Sequence, residues 1–228
     1  MKKIITILAT LMLTTMSINF AKAEGFAIGV TGAYNMIEAD GQETEGAGDA
    51  EITKKSVSND VFTGSVYGEY SLANVSYADS GITFGVRYTP GSADVSDKVF
   101  SRTDATSNAN EAVQDDGTRT AQAEVENYIN YYLDIPLYKN MYVKAGWSQI
   151  DVNTKETSTI TTSGSYGNAT LDGVNYGIGF KGENGNIVWK VAYEATNFNT
   201  LNLTSSSGNK LKADLDTSEV NLSVGYKF

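Results

Sequence analysis

From residue 26 onward apolar and polar side chains alternate with a period of two, and no stretch holds a helical period over several turns. The cleanest run sets Phe26, Ile28, Val30, Tyr34 and Met36 on one face, with Gly32 as a gap, against Ala27, Gly29, Thr31, Ala33 and Asn35. A third run sets Ile82, Phe84, Val86 and Tyr88 against Thr83, Gly85, Arg87 and Thr89. A fourth sets Val125, Ile129, Tyr131, Leu133 and Ile135 against Glu124, Glu126, Tyr128, Asn130 and Tyr132. Then come Met141, Val143, Ala145 and Trp147 against Tyr142, Lys144, Gly146 and Ser148, and Val174, Tyr176, Ile178 and Phe180 against Asn175, Gly177, Gly179 and Lys181. The last two runs set Ile187, Trp189, Val191 and Tyr193 against Val188, Lys190, Ala192 and Glu194, and Val220, Leu222, Val224, Tyr226 and Phe228 against Asn221, Ser223, Gly225 and Lys227. A second run lies within 61–70, where Phe62, Val66 and Tyr70 share a face and Ser65, Tyr67 and Glu69 the other. The pattern predicts an all-β chain of about eight half-buried strands.

The connections alternate in length. Long polar segments are expected near 39–60, 91–119, 154–169 and 198–213, and short ones at Pro136–Asn140 and Glu183–Asn186, with an intermediate link near 72–80. Long loops at one end and short turns at the other are the arrangement of a closed antiparallel up-and-down transmembrane barrel.

Residues 1–23 do not belong to that pattern. Lys2 and Lys3 precede an apolar run from Ile4 to Met16, and Ala21-Lys22-Ala23 fits a small-x-small cleavage site. The run is short of the roughly 20 residues a membrane-spanning helix needs. The segment therefore reads as a cleaved signal peptide, with the barrel in 24–228. Removing Lys2, Lys3 and Lys22 from the 17 basic residues leaves 14 against 27 acidic ones, a net charge of −13.

Alternation alone fits a soluble barrel as well as a membrane barrel, so the side chains must decide which face is outside. The polar face carries small residues suited to the narrow interior of eight strands. The apolar face carries aromatics near both strand ends: Phe26, Phe180, Trp189, Tyr226 and Phe228 at one, Tyr34, Phe62, Tyr88, Trp147 and Tyr193 at the other. Two rings of amphipathic aromatics match two membrane interfaces. A Lys or Arg facing lipid at the midplane costs about 2–4 kcal/mol, so Arg87, Glu124, Glu126, Lys144, Lys190 and Glu194 are expected inside, with Glu69. The expected pairs are Arg87 and Lys144 with Glu124, Glu126 or Glu69, and Lys190 with Glu194.

The final strand, Val220, Leu222, Val224, Tyr226 and Phe228, resembles the C-terminal signature of bacterial outer-membrane barrels, and 81–88 and 173–180 resemble strands of the small OmpA/OmpX-type group. The resemblance implies location in the bacterial outer membrane and recognition of the last strand by the barrel assembly machinery. It implies no activity, since one fold hosts many functions. The sequence ends at that strand, so cell-wall anchoring through a peptidoglycan-binding domain is not expected.

Composition narrows the chemistry. There is no cysteine and no histidine, which removes thiolate sites, lipoprotein acylation and the commonest general base and metal ligand. An acyl-transfer enzyme is not expected, because a serine nucleophile needs an adjacent base. The acidic balance argues against nucleic acid. Gly177-Ile-Gly-Phe-Lys-Gly182 spells a dinucleotide fingerprint but lies inside a strand rather than between strand and helix. No cofactor is expected. Glu38, Asp40, Glu43, Glu45, Asp49 and Glu51 form an acidic first loop. It lacks the spacing of a calcium loop, although divalent ions there would bridge to lipopolysaccharide phosphates. Asp94, Asp97, Asp104, Glu111, Asp115 and Asp116 make the second loop acidic too. The expected function is structural: a monomeric barrel held in outer-membrane lipid and lipopolysaccharide, whose acidic loops face outward toward an unidentified extracellular ligand. The alternative is a small passive pore.

Overall fold

The computed structural model describes residues 25–44, 52–72, 81–106, 115–159 and 164–228, with 102, 104–106, 115 and 116 by backbone alone. Residues 1–23, expected to be a signal peptide, and Glu45, Asp49, Glu51 and Glu111 lie outside the described residues.

Ten strands are formed: β1 (Phe26–Thr44), β2 (Ile52–Ser71), β3 (Thr83–Asp94), β4 (Phe100–Thr106), β5 (Asp115–Tyr138), β6 (Met141–Ser158), β7 (Ala169–Asn184), β8 (Ile187–Phe198), β9 (Leu201–Thr204) and β10 (Lys210–Lys227). Eight of them close a ring in the order β1, β2, β3, β5, β6, β7, β8, β10, and β10 returns to β1 from Ala27–Lys227 to Thr44–Lys210. β4 continues the line of β3 along β5, and β9 continues β8 along β10. Every pairing is antiparallel, and in the half of the ring toward the tight turns each strand is laddered on both sides, the condition for placing backbone in hydrocarbon. The β2–β3 ladder stops at Val66–Tyr88. Beyond it the two strands are joined by side chains, Ser65 Oγ to Thr89 Oγ1 at 2.7 Å and Asn59 Nδ2 donating to the Asp94 carbonyl at 2.7 Å.

Sidedness in the lower half, toward the tight turns, follows the alternation of the sequence. Phe62 is 85% exposed on the outer wall, and Val30, Val174 and Leu222 are exposed on it too. Thr83, Asn130 and Glu194 are sealed inside. The face of β2 left loosest by the sequence is settled: Ser65, Tyr67 and Glu69 point inward.

The upper half reverses this polarity. Ile37, Val125, Ile150, Leu171, Leu201 and Leu215 meet inside the ring as one apolar cluster, while Glu38, Asp40, Asp60, Asp214 and Asp216 are exposed on the outer face of the same strands. The barrel is greasy outside and ionic inside at one end, and the opposite at the other. The second arrangement is that of a barrel standing in water.

Two corrections to the sequence reading follow. The segments 39–60, 91–119, 154–169 and 198–213 are not simply loops: they contain the outer reaches of β1, β2, β3, β5, β6, β7 and β10, together with β4 and β9. A ladder needs backbone partners, not an apolar outer face, so it runs on past the point where the alternation fades. Second, Val125 is inside and Glu124 and Glu126 are not. A β-bulge between Glu126 and Ile129 puts one extra residue into β5 against β6, with Asn127 at φ 55°. One added residue swaps the faces of everything beyond it. A second irregularity, between Thr89 and Ser92 of β3, lies at the same level, where Gly91 takes φ 95°.

Candidate functional site

The lower lumen is filled by a chain of ion pairs. Lys181 sits 3.6 Å from Glu69, and Lys190 donates to Glu69 at 2.5 Å and to Asp134 at 3.3 Å. Lys144 lies 3.9 Å from Asp134 and 2.7 Å from Glu194. Arg87 reaches Glu194 at 3.2 Å and Glu219 at 2.6 Å. Four cations thus face four carboxylates, so the layer is formally neutral and every charge in it has an opposite partner. Burying an unpaired charge costs far more than burying a pair.

Sequence reasoning placed Arg87, Lys144, Lys190, Glu194 and Glu69 on the polar face, and the structure brings all of them into this layer. The partners differ from those expected. Arg87 and Lys144 converge on Glu194, not on Glu69, Glu124 or Glu126, and Lys190 pairs with Glu69 and Asp134, not with Glu194. The reason is level along the strands. Lys190 and Glu194 are four residues apart on one strand of rise about 3.4 Å per residue, so they occupy different levels. Glu124 and Glu126 are beyond the bulge, where Glu124 pairs with Lys155 and Glu126 accepts from Asn153 Nδ2 at 2.7 Å. The Lys155 ammonium hydrogen-bonded to it holds the Glu124 carboxyl below the usual carboxylate range.

Asp134, Glu219 and Lys181 were not singled out, although the alternation put each on the same polar face. The signal was the register: Asp134 stands directly opposite Lys144 across the β5–β6 ladder.

Three tyrosines pack the layer and lie flat against glycines of the wall. A Cβ on Gly85 would stand 2.2 Å from Tyr132 Cζ, one on Gly179 2.6 Å from Tyr142 Oη, and one on Gly29 2.6 Å from the Tyr67 ring. The rings in turn cover the cations: Lys190 lies 4.9 Å from the ring centroids of both Tyr67 and Tyr132, and Lys144 4.1 Å from that of Tyr132. Tyr132 Oη donates to Glu69 at 2.9 Å. Above the ions, Asn221 donates to Glu194 and Glu219, and Tyr128, Asn130, Ser148, Asn175 and Thr196 form a hydrogen-bonded tier.

Between the ionic layer and the apolar cluster remains a cavity of about 80 Å³, lined by Asn35, Glu194 and Glu219 on one side and Ile37, Val125 and Ile150 on the other. It is smaller than the roughly 150 Å³ cavity that admits benzene in an apolar core. Among the described residues no group of three or more carboxylates is placed to hold a metal ion. Of the first-loop acids, Glu43 is engaged by Tyr166 Oη at 2.8 Å and Asn209 Nδ2 at 3.2 Å.

No family model and no curated protein matches the chain. Solved structures do. The outer membrane protease OmpT from Escherichia coli aligns over 94% of this chain and 100% of its own at 8% identity and a TM-score of 0.46. The outer membrane protein OprG from Pseudomonas aeruginosa aligns over 90% and 97% at 10% identity and a TM-score of 0.42. Neisserial surface protein A aligns over 90% and 97% at 14% identity and a TM-score of 0.34. The chain is similar to these proteins in fold alone.

Proposed function

We propose that the chain is an integral outer-membrane barrel that acts as a non-catalytic anchor. In this reading it holds its acidic outer strands and hairpins at the cell surface for interaction with lipopolysaccharide and extracellular partners. The observation that carries the reading is the double closure of the lumen, by a neutral ionic layer and then by an apolar cluster. A conduit for hydrated ions needs a continuous polar path, and the apolar cluster interrupts it. The outer wall supports the location: exposed Val30, Phe84, Tyr131, Val174, Leu222 and Val224 form a belt suited to hydrocarbon. Among the described residues, β1, β2 and β10 bear carboxylates on this wall only beyond Tyr34, Phe62 and Val220.

The test has two parts. Cell fractionation followed by electrophoresis with and without boiling should find a heat-modifiable band in the outer membrane. The purified protein in planar bilayers should then give no channel events. Recovery in the soluble fraction would end the membrane reading, and steady cation-selective conductance would replace the anchor by a pore.

A further inference from the structure

The outer face of β9, β10, β1 and β2 is banded, and among the described residues its outermost band is basic in a chain that is otherwise strongly acidic. Reading up β1 from the apolar belt, Tyr34 stands beside Phe62 and Val220, Glu38 beside Ser58 and Asp216, and Asp40 beside Ser56 and Asp214. Next comes Gln42, flanked directly by Lys54 on β2 and Lys212 on β10, and then Thr44 beside Lys210. Lys54, Lys210 and Lys212 are exposed, and none of them has a carboxylate within ion-pair distance among the described residues. Gln42, Lys54 and Lys212 line one end of a shallow concavity of about 300 Å³ on this wall, and Asp40 and Asp214 of the acidic band below line the other.

The geometry points to a binding site for a phosphate group carried on the oligosaccharide of an outer-leaflet glycolipid. Neighbouring strands are about 4.8 Å apart, so Lys54 and Lys212 start about 10 Å apart with Gln42 between them. Their side chains close that span over one anion, and the Gln42 amide supplies a third donor. Charge-assisted contacts to phosphate are the strong kind. The height selects the partner. Gln42 is eight residues beyond Tyr34 on β1. At about 3.4 Å per residue and a strand tilt of about 40°, that is about 20 Å above the edge of the hydrocarbon. The headgroup zone of a bilayer extends only about 5–8 Å past that edge. An ordinary phospholipid phosphate therefore falls short of the lysines, and the Glu38 and Asp40 band lies between the two. A phosphate lifted on a chain of sugars, still tethered to the lipid that wets the lower wall, arrives at the lysine row.

The inference rests on the proposal that the barrel stands in the outer membrane. Its test uses the full chain folded in a non-ionic detergent. Three probes are titrated and retained lipid is counted by native mass spectrometry: lipopolysaccharide with a phosphorylated core, the same material after dephosphorylation, and lipid A alone. The phosphorylated-core material should bind at least tenfold tighter than either other probe at low salt. The double substitution Lys54→Glu with Lys212→Glu should abolish that difference, while Lys98→Glu, an exposed lysine away from the row, should leave it. Equal retention of all three probes would overturn the site. So would a double variant that binds like the parent, or a Lys98→Glu variant that loses binding equally. Heat-modifiable mobility is read on every variant. Its loss in the parent protein would point to failure of the barrel reading itself, while its presence with no probe preference defeats the phosphate site alone.

Discussion

Tyr132 lies against Gly85 so closely that a methyl group added to the glycine would occupy the position of the ring, 2.2 Å from Cζ. The contact matters because the same ring carries the hydroxyl that bonds Glu69 and roofs both Lys144 and Lys190. Gly85→Ala should therefore displace Tyr132 and loosen the ion layer as well as the packing. A loss of about 1–3 kcal/mol is expected for such overpacking, read by urea unfolding of the refolded protein in micelles. Tyr132→Ala alone should also destabilise, and the two changes together should cost less than their sum. Additive losses would show that the glycine and the ring do not share one contact.

Glu194 is the joint of the layer, since Arg87, Lys144 and Asn221 all bond to it. Removing its charge leaves Arg87 with Glu219 alone and Lys144 with only the longer contact to Asp134, at 3.9 Å. Glu194→Leu should cost about 3–5 kcal/mol, the range for breaking a buried pair on one side. Lys190→Met should cost a similar amount, because Glu69 then keeps only Lys181, at 3.6 Å, and Asp134 only Lys144, at 3.9 Å. Equilibrium unfolding of the two variants in the same detergent compares them, and a loss confined to one of them would contradict the described connectivity.

How far the sequence foretold this site depends on which physical rule each residue obeys. The period-two alternation is local, so it located Arg87, Lys144, Lys190 and Glu194 on the inward face of their strands without any knowledge of neighbours. Pairing is not local. It depends on register around a closed ring, and Lys144 stands opposite Asp134 only because the β5–β6 turn at Lys139 is so tight. The bulge beyond Glu126 was illegible for a related reason. Asn127 is an ordinary polar residue in an alternating run, and only its left-handed backbone reveals the extra count that turns Val125 inward and Glu124 outward. The inverted upper half was hidden because polar-out, apolar-in strands such as Ile37–Asp40 look like loops when a greasy outer face is expected.

The outer contact of Glu124 with Lys155 makes a pH-dependent prediction. Its carboxyl is held below its ordinary range chiefly by the hydrogen bond from Lys155, with Ser92 adding a second. A depressed folded value means that the stabilisation is fully present above the unfolded carboxyl value and is lost as pH falls through the folded one. The contact should therefore persist at neutral pH and open only on acidification past the usual carboxylate range. Carbon-detected NMR titration of Glu124 should give a midpoint that rises when Lys155→Met is introduced. An unchanged midpoint would mean that the ammonium does not govern this group.

The two closures of the lumen make the sharpest prediction about function. The ionic layer is held by pairs such as Arg87 with Glu219, whereas the outer cluster is held by Ile37, Val125, Ile150, Leu201 and their neighbours. Opening one leaves the other shut. Lys144→Gln with Glu194→Gln removes one opposite pair and preserves neutrality, so the barrel should survive, and the variant should remain silent in planar bilayers. Ile150→Ser with Leu201→Ser adds polar groups to the apolar tier but leaves the ion pairs below, and it should be silent as well. Only the combination of all four changes wets both tiers, and that protein should give conductance if its heat-modifiable mobility shows that the ring is still closed. A channel in the Lys144→Gln, Glu194→Gln protein alone would mean that the apolar tier does not seal the lumen, and the anchoring role would lose its main support.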